Sequence, residues 1–305
     1  MQAYDLISIG NISIDLFFAG DSLTFKDSRF QLAVGGKYFV NQFHTSIGGG
    51  GANVAVGAAK HGLRTAVLGT IGNNPFKKMI LQMLESHKVS PNLCSFEDDY
   101  YNISSILLTK NGERSIIHYS TPQRNILRKA ASIKHLIEAK MVYLGNLPDV
   151  SLAERELTLN ICNKNHVLTV VNLGVSDCRR HKHQLGSFLR KVDVLIVNGH
   201  EFAELVKAQY KDIHFKENVV KWYAPQLEDK IVIITEGENG SFGYSDNKVY
   251  QQKAFKAEKI VDTTGAGDAY TASFIAEYFK TGDIEKAMEK GAKYASTILA
   301  KIGAS

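Results

Sequence analysis

Ile260-Val261-Asp262-Thr263-Thr264-Gly265-Ala266-Gly267-Asp268-Ala269-Tyr270 is the stretch on which the reading of this chain turns. A short polar approach leads into Gly265-Ala266-Gly267, and a helical pattern follows. Glycine lets a backbone turn tightly and lets an anion come close to the N–H groups. The first turn of a helix leaves N–H donors unpaired and carries partial positive charge. Gly265, Ala266 and Gly267 are therefore expected to form a receptor for a phosphate. Asp268 falls in the first turn, aimed at the same point. Two roles are open to it: an acid favoured by the helix dipole, or a base that takes a hydroxyl proton during phosphoryl transfer.

Other stretches also read as ligand-facing. Asn11, Ser13 and Asp15 alternate, so an extended backbone points all three to one side, where they could hold a pair of hydroxyls. The alternative is a turn after the first strand, with Asp15 as a cap. Gly48, Gly49, Gly50 and Gly51 leave bare backbone for a ligand to lie against, and Asn53 adds a directional donor and acceptor. The same run would also serve as a strand-to-helix turn packed closely on a sheet. Asn198 and Glu201 follow an apolar run at its carboxyl end, where open sheets bind ligands. Their spacing equally makes a capping box, and a capped helix end can also be a site. Thr235 ends another such run, and Gly237 and Gly240 loosen the loop after it.

Residues 262–268, Asp-Thr-Thr-Gly-Ala-Gly-Asp, match in full the C-terminal signature of the ribokinase-like carbohydrate kinases. In order along the chain, Gly10-Asn11-Ile12-Ser13-Ile14-Asp15 resembles that family's substrate-binding opening. Residues 47–55 resemble its glycine-rich signature, Asn198-Gly199-His200-Glu201 its Asn-x-x-Glu, and residues 235–240 its Thr-x-Gly-x-x-Gly. The resemblance spans about residues 4–304. It implies an ATP-dependent kinase that moves the γ-phosphoryl to a sugar hydroxyl, with Asp268 as base and Gly265, Ala266 and Gly267 as anion hole. It sets Asn11, Ser13, Asp15, Gly48, Gly49, Gly50, Asn53 and Asn146 toward the acceptor. Asn198, Glu201, Thr235, Gly237 and Gly240 go to the nucleotide and Mg2+, Glu201 acting through water. Asp262 and Thr264, with carbonyls near 298–303, would form a monovalent-cation loop suited to K+.

The chain departs from its family in places. Gly50 stands where ribokinases carry a lysine, which argues against a sugar phosphate as acceptor. Asn146 stands about where ribokinases have a substrate-binding acid. No asparagine follows Asp283, where many relatives have one near the adenine. A nucleoside kinase of the same fold is the alternative activity. A non-catalytic sugar sensor is a third, but it would be expected to have lost Asp268 or the glycine turn.

Around these motifs, short β-branched runs at 5–9, 65–69, 141–144, 167–171, 194–197 and 231–235 read as buried parallel strands. Helical stretches at 51–61, 75–87, 152–164, 201–207 and 217–226 alternate with them, and two more at 266–280 and 284–301 close the chain. The pattern predicts one α/β domain over 1–305, a ribokinase-like doubly wound, mainly parallel sheet flanked by helices. Two excursions, 16–46 and 102–120, are richer in aromatics and turn pairs. Asn111-Gly112 marks a hairpin in the second. Together they are expected to build one small β-sheet lid, with Phe17, Phe18, Phe25, Phe30, Tyr38, Phe39 and Phe43 for packing, a homodimer contact or substrate.

Bulk properties exclude several classes. The formal charge of +5 is mild, and Arg179-Arg180-His181-Lys182-His183 is short and lacks aromatics, so nucleic acid is not an expected partner. No apolar run reaches membrane-spanning length. Three cysteines without a CxxC suit a reduced, cytoplasmic compartment. Cys178, His181 and His183 lack a fourth zinc ligand. No G-x-x-x-x-G-K-[ST], G-x-G-x-x-G or G-x-S-x-G occurs.

Overall fold

The β-branched runs assemble side by side. In the computed structural model, residues 3–27, 29–109, 113–123, 126–127, 134–257, 260–261, 263–301 and 303 are described. A nine-stranded sheet runs in the order Lys248–Gln252, Ser241–Ser245, Ile231–Thr235, Val194–Asn198, Leu168–Asn172, Ala139–Leu144, Tyr4–Ile9, Thr65–Leu68 and Val89–Ser90. The strands from Ile231–Thr235 to Val89–Ser90 pair in parallel. Side chains alternate between two cores. Leu6, Met141, Tyr143, Val194 and Ile233 pack under Tyr270, Phe274 and Met288. Ile7, Val142, Leu144, Leu195 and Val232 pack under Leu159, Phe188 and Phe202. Such burial on both faces is why these strands read as continuous apolar runs. Among the described residues no helix is long and apolar enough to cross a membrane.

The sheet is mixed at one edge, where Ile231–Thr235, Ser241–Ser245 and Lys248–Gln252 run antiparallel. Asp246 and Asn247 turn that last hairpin with φ of 49° and 61°. Two central residues with φ > 0 are what the common two-residue hairpin turn requires. The helix expected over 217–226 is a correction. Helical structure there is only Val219–Tyr223, followed by a 3-10 turn, Pro225–Leu227. Proline disfavours helical geometry in the residue before it, and Ala224 sits at φ −138°, ψ 56°. The last helix, Ile284–Ile298, also stops short of residue 301.

A second sheet of four strands has the order Arg114–Ser120, Asn102–Leu108, Ser13–Ala19, Gln42–Gly48. Both excursions contribute to it. The middle pair is parallel and the outer pairs antiparallel. The sheet begins at Ser13, earlier than the expected 16, so Ser13 and Asp15 belong to it. Asn111 and Gly112 lie outside the described residues. Thr109 N–H donates to Glu113 O at 2.9 Å. Only Gly10, Asn11 and Ile12 join Ser13–Ala19 to the main sheet, and Gln42–Gly48 passes through Gly49 into the helix Gly50–Lys60.

Candidate active site

The helix Ala266–Thr281 starts where the sequence places it. Gly265 precedes it at φ 74°, in the left-handed region that glycine enters without strain, and no side chain caps the helix. Ser151, Asn198 and Asp283 cap their helices with side chains, whereas Gly50–Lys60, Lys77–Ser86 and Lys182–Leu189 also start without one. An uncapped first turn leaves N–H donors for a ligand. A Cβ on Gly267 would stand in open space. Tyr270 and Ser241 hydroxyls meet at 2.8 Å and anchor this helix to the sheet.

Asp268 is half-buried and accepts a hydrogen bond from Asn53 Nδ2 at 2.8 Å. Burial pushes its pKa up, Asn53 pulls it down, and the nearby Asp15 carboxylate raises it again. Asn53 itself is buried, and its Oδ1 has no protein partner. It belongs to Gly50–Lys60, which docks on the first strand without side chains between. Gly10 and Gly51 touch backbone to backbone, a Cβ on Gly51 falling 2.6 Å from the Gly10 carbonyl carbon, and Ser8 Oγ donates to Gly51 O at 2.7 Å. A Cβ on Gly50 would lie 3.6 Å from Asp268 Oδ1, so bare backbone faces the carboxylate.

Ser13 and Asp15 share the inner face of the four-stranded sheet, with Ser13 Oγ donating to Asp15 Oδ1 at 3.2 Å. The Asp15 carboxylate rests against Gly48, where any Cβ would come within 2.2 Å of Oδ2. Gly49, at φ 86°, passes against Asn11 O. Strand register sets His118, Ser104, Asp15 and Ser46 in one row across the sheet. Ser104 Oγ lies 3.2 Å from His118 Nδ1. The oxygens Ser46 Oγ and Asn102 Oδ1 are buried without partners. From the edge of this sheet the Arg114 guanidinium donates to Thr263 Oγ1, inside the decisive motif.

The remaining expected positions lie at the carboxyl ends of the main strands. Asn198 Oδ1 accepts from Glu201 N at 2.8 Å, and Asn198 N donates to Glu201 Oε2 at 2.9 Å, so the capping box is formed. Burial pushes the Glu201 carboxyl up. Asn198 and Thr235 are register partners on adjacent strands. Gly237 and Gly240 both have positive φ, and a Cβ on Gly240 would strike Gln252 O. Tyr143 ties the two halves together. After burial, the Asp268 and Glu201 carboxylates raise its phenol pKa, so one hydroxyl feels both. Asn146 lies against Gly174 in the loop after Leu168–Asn172. Thr264 is half-buried, and Asp262 lies outside the described residues.

Sequence reasoning missed several neighbours. Arg114, Ser104, His118 and Ser46 reach the site only through strand register. Near Asn198, Tyr210 OH donates to Glu236 Oε2 at 2.5 Å and stacks on His200 at 4.1 Å, while Glu236 crosses over Gly199. Glu236 lies within the quoted loop motif, but nothing in that motif singles it out.

The chain is similar to known proteins along nearly its whole length. The pfkB family carbohydrate kinase model matches residues 4–305. An ATP-dependent 6-phosphofructokinase of Thermoanaerobacterium thermosaccharolyticum is 27% identical, covering 99% of this chain and 90% of the relative. A 5-dehydro-2-deoxygluconokinase of Listeria monocytogenes is 24% identical, over 100% of this chain and 92% of the relative. Among solved structures, Arabidopsis thaliana ribokinase complexed with ribose and ATP superposes with a TM-score of 0.80 at 21% identity, covering 99% of this chain and 94% of its own. A Methanocaldococcus jannaschii nucleoside kinase gives 0.71 at 22%, covering 98% and 92%.

Proposed function

The chain belongs to the pfkB family of carbohydrate kinases, and from that premise we propose that it phosphorylates a hydroxyl of an unphosphorylated sugar, with Asp268 as general base. One observation carries the reading. Asp268, its pKa raised by burial, stands in an uncapped helix start with Asn53 on one side and bare Gly50 on the other. The acceptor hydroxyl passes its proton to the Asp268 carboxylate as its oxygen bonds to phosphorus and the nucleoside diphosphate leaves. A raised pKa brings the base nearer the working pH, while the Asn53 Nδ2 hydrogen bond favours its ionised form. The N–H groups around Gly265, Ala266 and Gly267 meet the charge on the transferring group.

The acceptor pocket favours neutral hydroxyls. Asp15, Ser13, Ser46 and Ser104, with the open Asn53 Oδ1 and Asn102 Oδ1, offer matched donors and acceptors. Gly50 contributes no cation beside Asp268. Arg114, next to Thr263, is placed for the nucleotide's charge. ATP phosphates belong between the glycine turn and the Asn198, Thr235 strand ends. Magnesium would be held at Asn198 and, through water, at Glu201, whose oxygens also close the capping box. Among the described residues no group of three or more His, Cys, Asp or Glu could hold a metal by itself, and magnesium generally keeps several waters and rests on substrate phosphates. When bound, it offsets charge on the phosphates.

The four-stranded sheet acts as a lid hinged at Gly10, Asn11 and Ile12 and at Gly49, excluding water when the acceptor binds. Its outer face exposes Phe43, Ile117 and Tyr119, which suits a homodimer. The three free thiols suit a reduced cytoplasm. The test is ATP consumption across pentoses, hexoses, their phosphates and nucleosides. The highest kcat/KM is expected on an unphosphorylated sugar. A sugar phosphate or nucleoside as best acceptor overturns the assignment.

A further inference from the structure

The two helices that carry Asn53 and Asp268 also have far ends, and a cavity lies between them. It has a volume of about 380 Å³ and is lined by His61, Ser273, Lys280, Lys290, Lys293 and Tyr294. Glu277 is its one carboxylate. His61 caps the end of Gly50–Lys60. Ser273 and Lys280 come from Ala266–Thr281, and Lys290, Lys293 and Tyr294 from Ile284–Ile298.

Two observations mark it as more than a gap between helices. First, polar atoms inside it are buried and unsatisfied. Ser273 is 1% exposed, and its Oγ has no hydrogen-bond partner. His61 Nε2 is likewise buried and unpartnered, with its ring edge-on to Tyr294 at 4.6 Å. Buried polar groups without partners are rare, because each costs its desolvation. Second, the wall is cationic. Lys280 Nζ donates to His61 O at 2.6 Å, but among the described residues Lys290 and Lys293 form no ion pair. The field is felt locally: after burial, Lys280 and Lys290 hold the His61 pKa below its usual value.

We infer that this cavity is an anion site, separate from the catalytic one, for a phosphate or phosphoryl group held by Ser273, His61, Lys290 and Lys293. The hydroxyl donates to the oxyanion, an imidazole N–H can do the same, and the two ammonium groups supply charge-assisted bonds. A volume of about 380 Å³ exceeds what one water fills and admits a small phosphorylated molecule. Two of the three helices that line the site run on to Asn53 and Asp268. They are pressed together midway, where a Cβ on Gly57 would fall 2.5 Å from Ala272 Cβ. A ligand held by His61 and Ser273 therefore touches both members of that pair.

The test keeps the catalytic site filled with a non-hydrolysable ATP analogue and magnesium, then titrates inorganic phosphate and, separately, glycerol 3-phosphate by calorimetry. A saturable site is expected in the intact protein. Affinity should fall about tenfold or more in Lys290→Gln/Lys293→Gln, since two charged partners are lost. Ser273→Ala should also weaken binding while leaving the lysines in place. Tighter binding of the ester would identify a phosphorylated metabolite, and equal binding free phosphate. Absence of saturable binding, or equal affinity in the lysine double variant, overturns the site and leaves only water in the cavity.

Discussion

Asn53→Leu isolates the bond that tunes the base. Leucine keeps the branched outline of the side chain, with more bulk, but removes Nδ2, which lies 2.8 Å from Asp268 Oδ2. Burial and the Asp15 charge then act on Asp268 without the counterweight of Asn53, and both favour its protonated form. A hydrogen bond to a charged group is worth about 1.5–3 kcal/mol. At about 1.4 kcal/mol per factor of ten, protonated enzyme should gain roughly ten- to a hundredfold on ionised enzyme. The acid limb of kcat/KM must therefore move to higher pH. Well below that limb, the rate relative to its own plateau should drop roughly ten- to a hundredfold. Coupled detection of ADP across pH gives the profile, and kcat/KM reports the free enzyme. Plateau height records how far the acceptor depends on Asn53 Oδ1, so level and shape separate the two roles. An acid limb that stays in place would show that the limb does not belong to Asp268 or that Asn53 does not control it.

Asp268→Asn should lower kcat roughly a hundredfold or more with nucleotide affinity little changed, measured at saturating acceptor. The same variant should melt at higher temperature at neutral pH. The folded pKa of Asp268 is raised, so its ionised carboxylate destabilises the fold there, and this cost vanishes as pH falls below the unfolded pKa. Asp15→Asn should instead raise the acceptor KM, since it removes binding common to ground and transition states. Gly48→Ala should do likewise by displacing that carboxylate, with a Cβ 2.2 Å from Oδ2. Chelating magnesium should abolish turnover, and potassium should raise the rate if the Thr264 loop holds a monovalent ion. Equal rates in sodium and potassium would remove only that last claim.

The main sheet was legible because Ile231–Thr235 and its neighbours are buried on both faces and need apolar side chains throughout. Leu152–Lys164 forms over the expected span, and the capping box that Ser151 and Glu154 close at its start is a signal the sequence reading did not use. The hairpin Ser241–Ser245 with Lys248–Gln252 was not expected. Its glycine, Gly243, is there to admit Met288 from the last helix, a demand no local pattern expresses. At the site, the motif gave Asp268 and Gly265 directly. Asn53 was expected to face the acceptor, yet its amide also holds the base, and only the packing of two helices makes that visible. Arg114 meets Thr263 across 149 positions of sequence. His118 and Ser104 become neighbours through register alone.

The parallel pairing of Ser13–Ala19 with Asn102–Leu108 constrains how the molecule folds. Antiparallel partners joined by a tight turn can form early, because little chain must be closed. These two strands are separated by Gly50–Lys60, Thr65–Leu68 and Lys77–Ser86, so their ladder must wait for that intervening chain to be placed. The ladder that positions Asp15 should thus form late, on a core already built. A nascent chain released before Leu108 is synthesised would hold the glycine-rich helix start but leave Ser13–Ala19 with one open edge, exposed to pairing with another molecule.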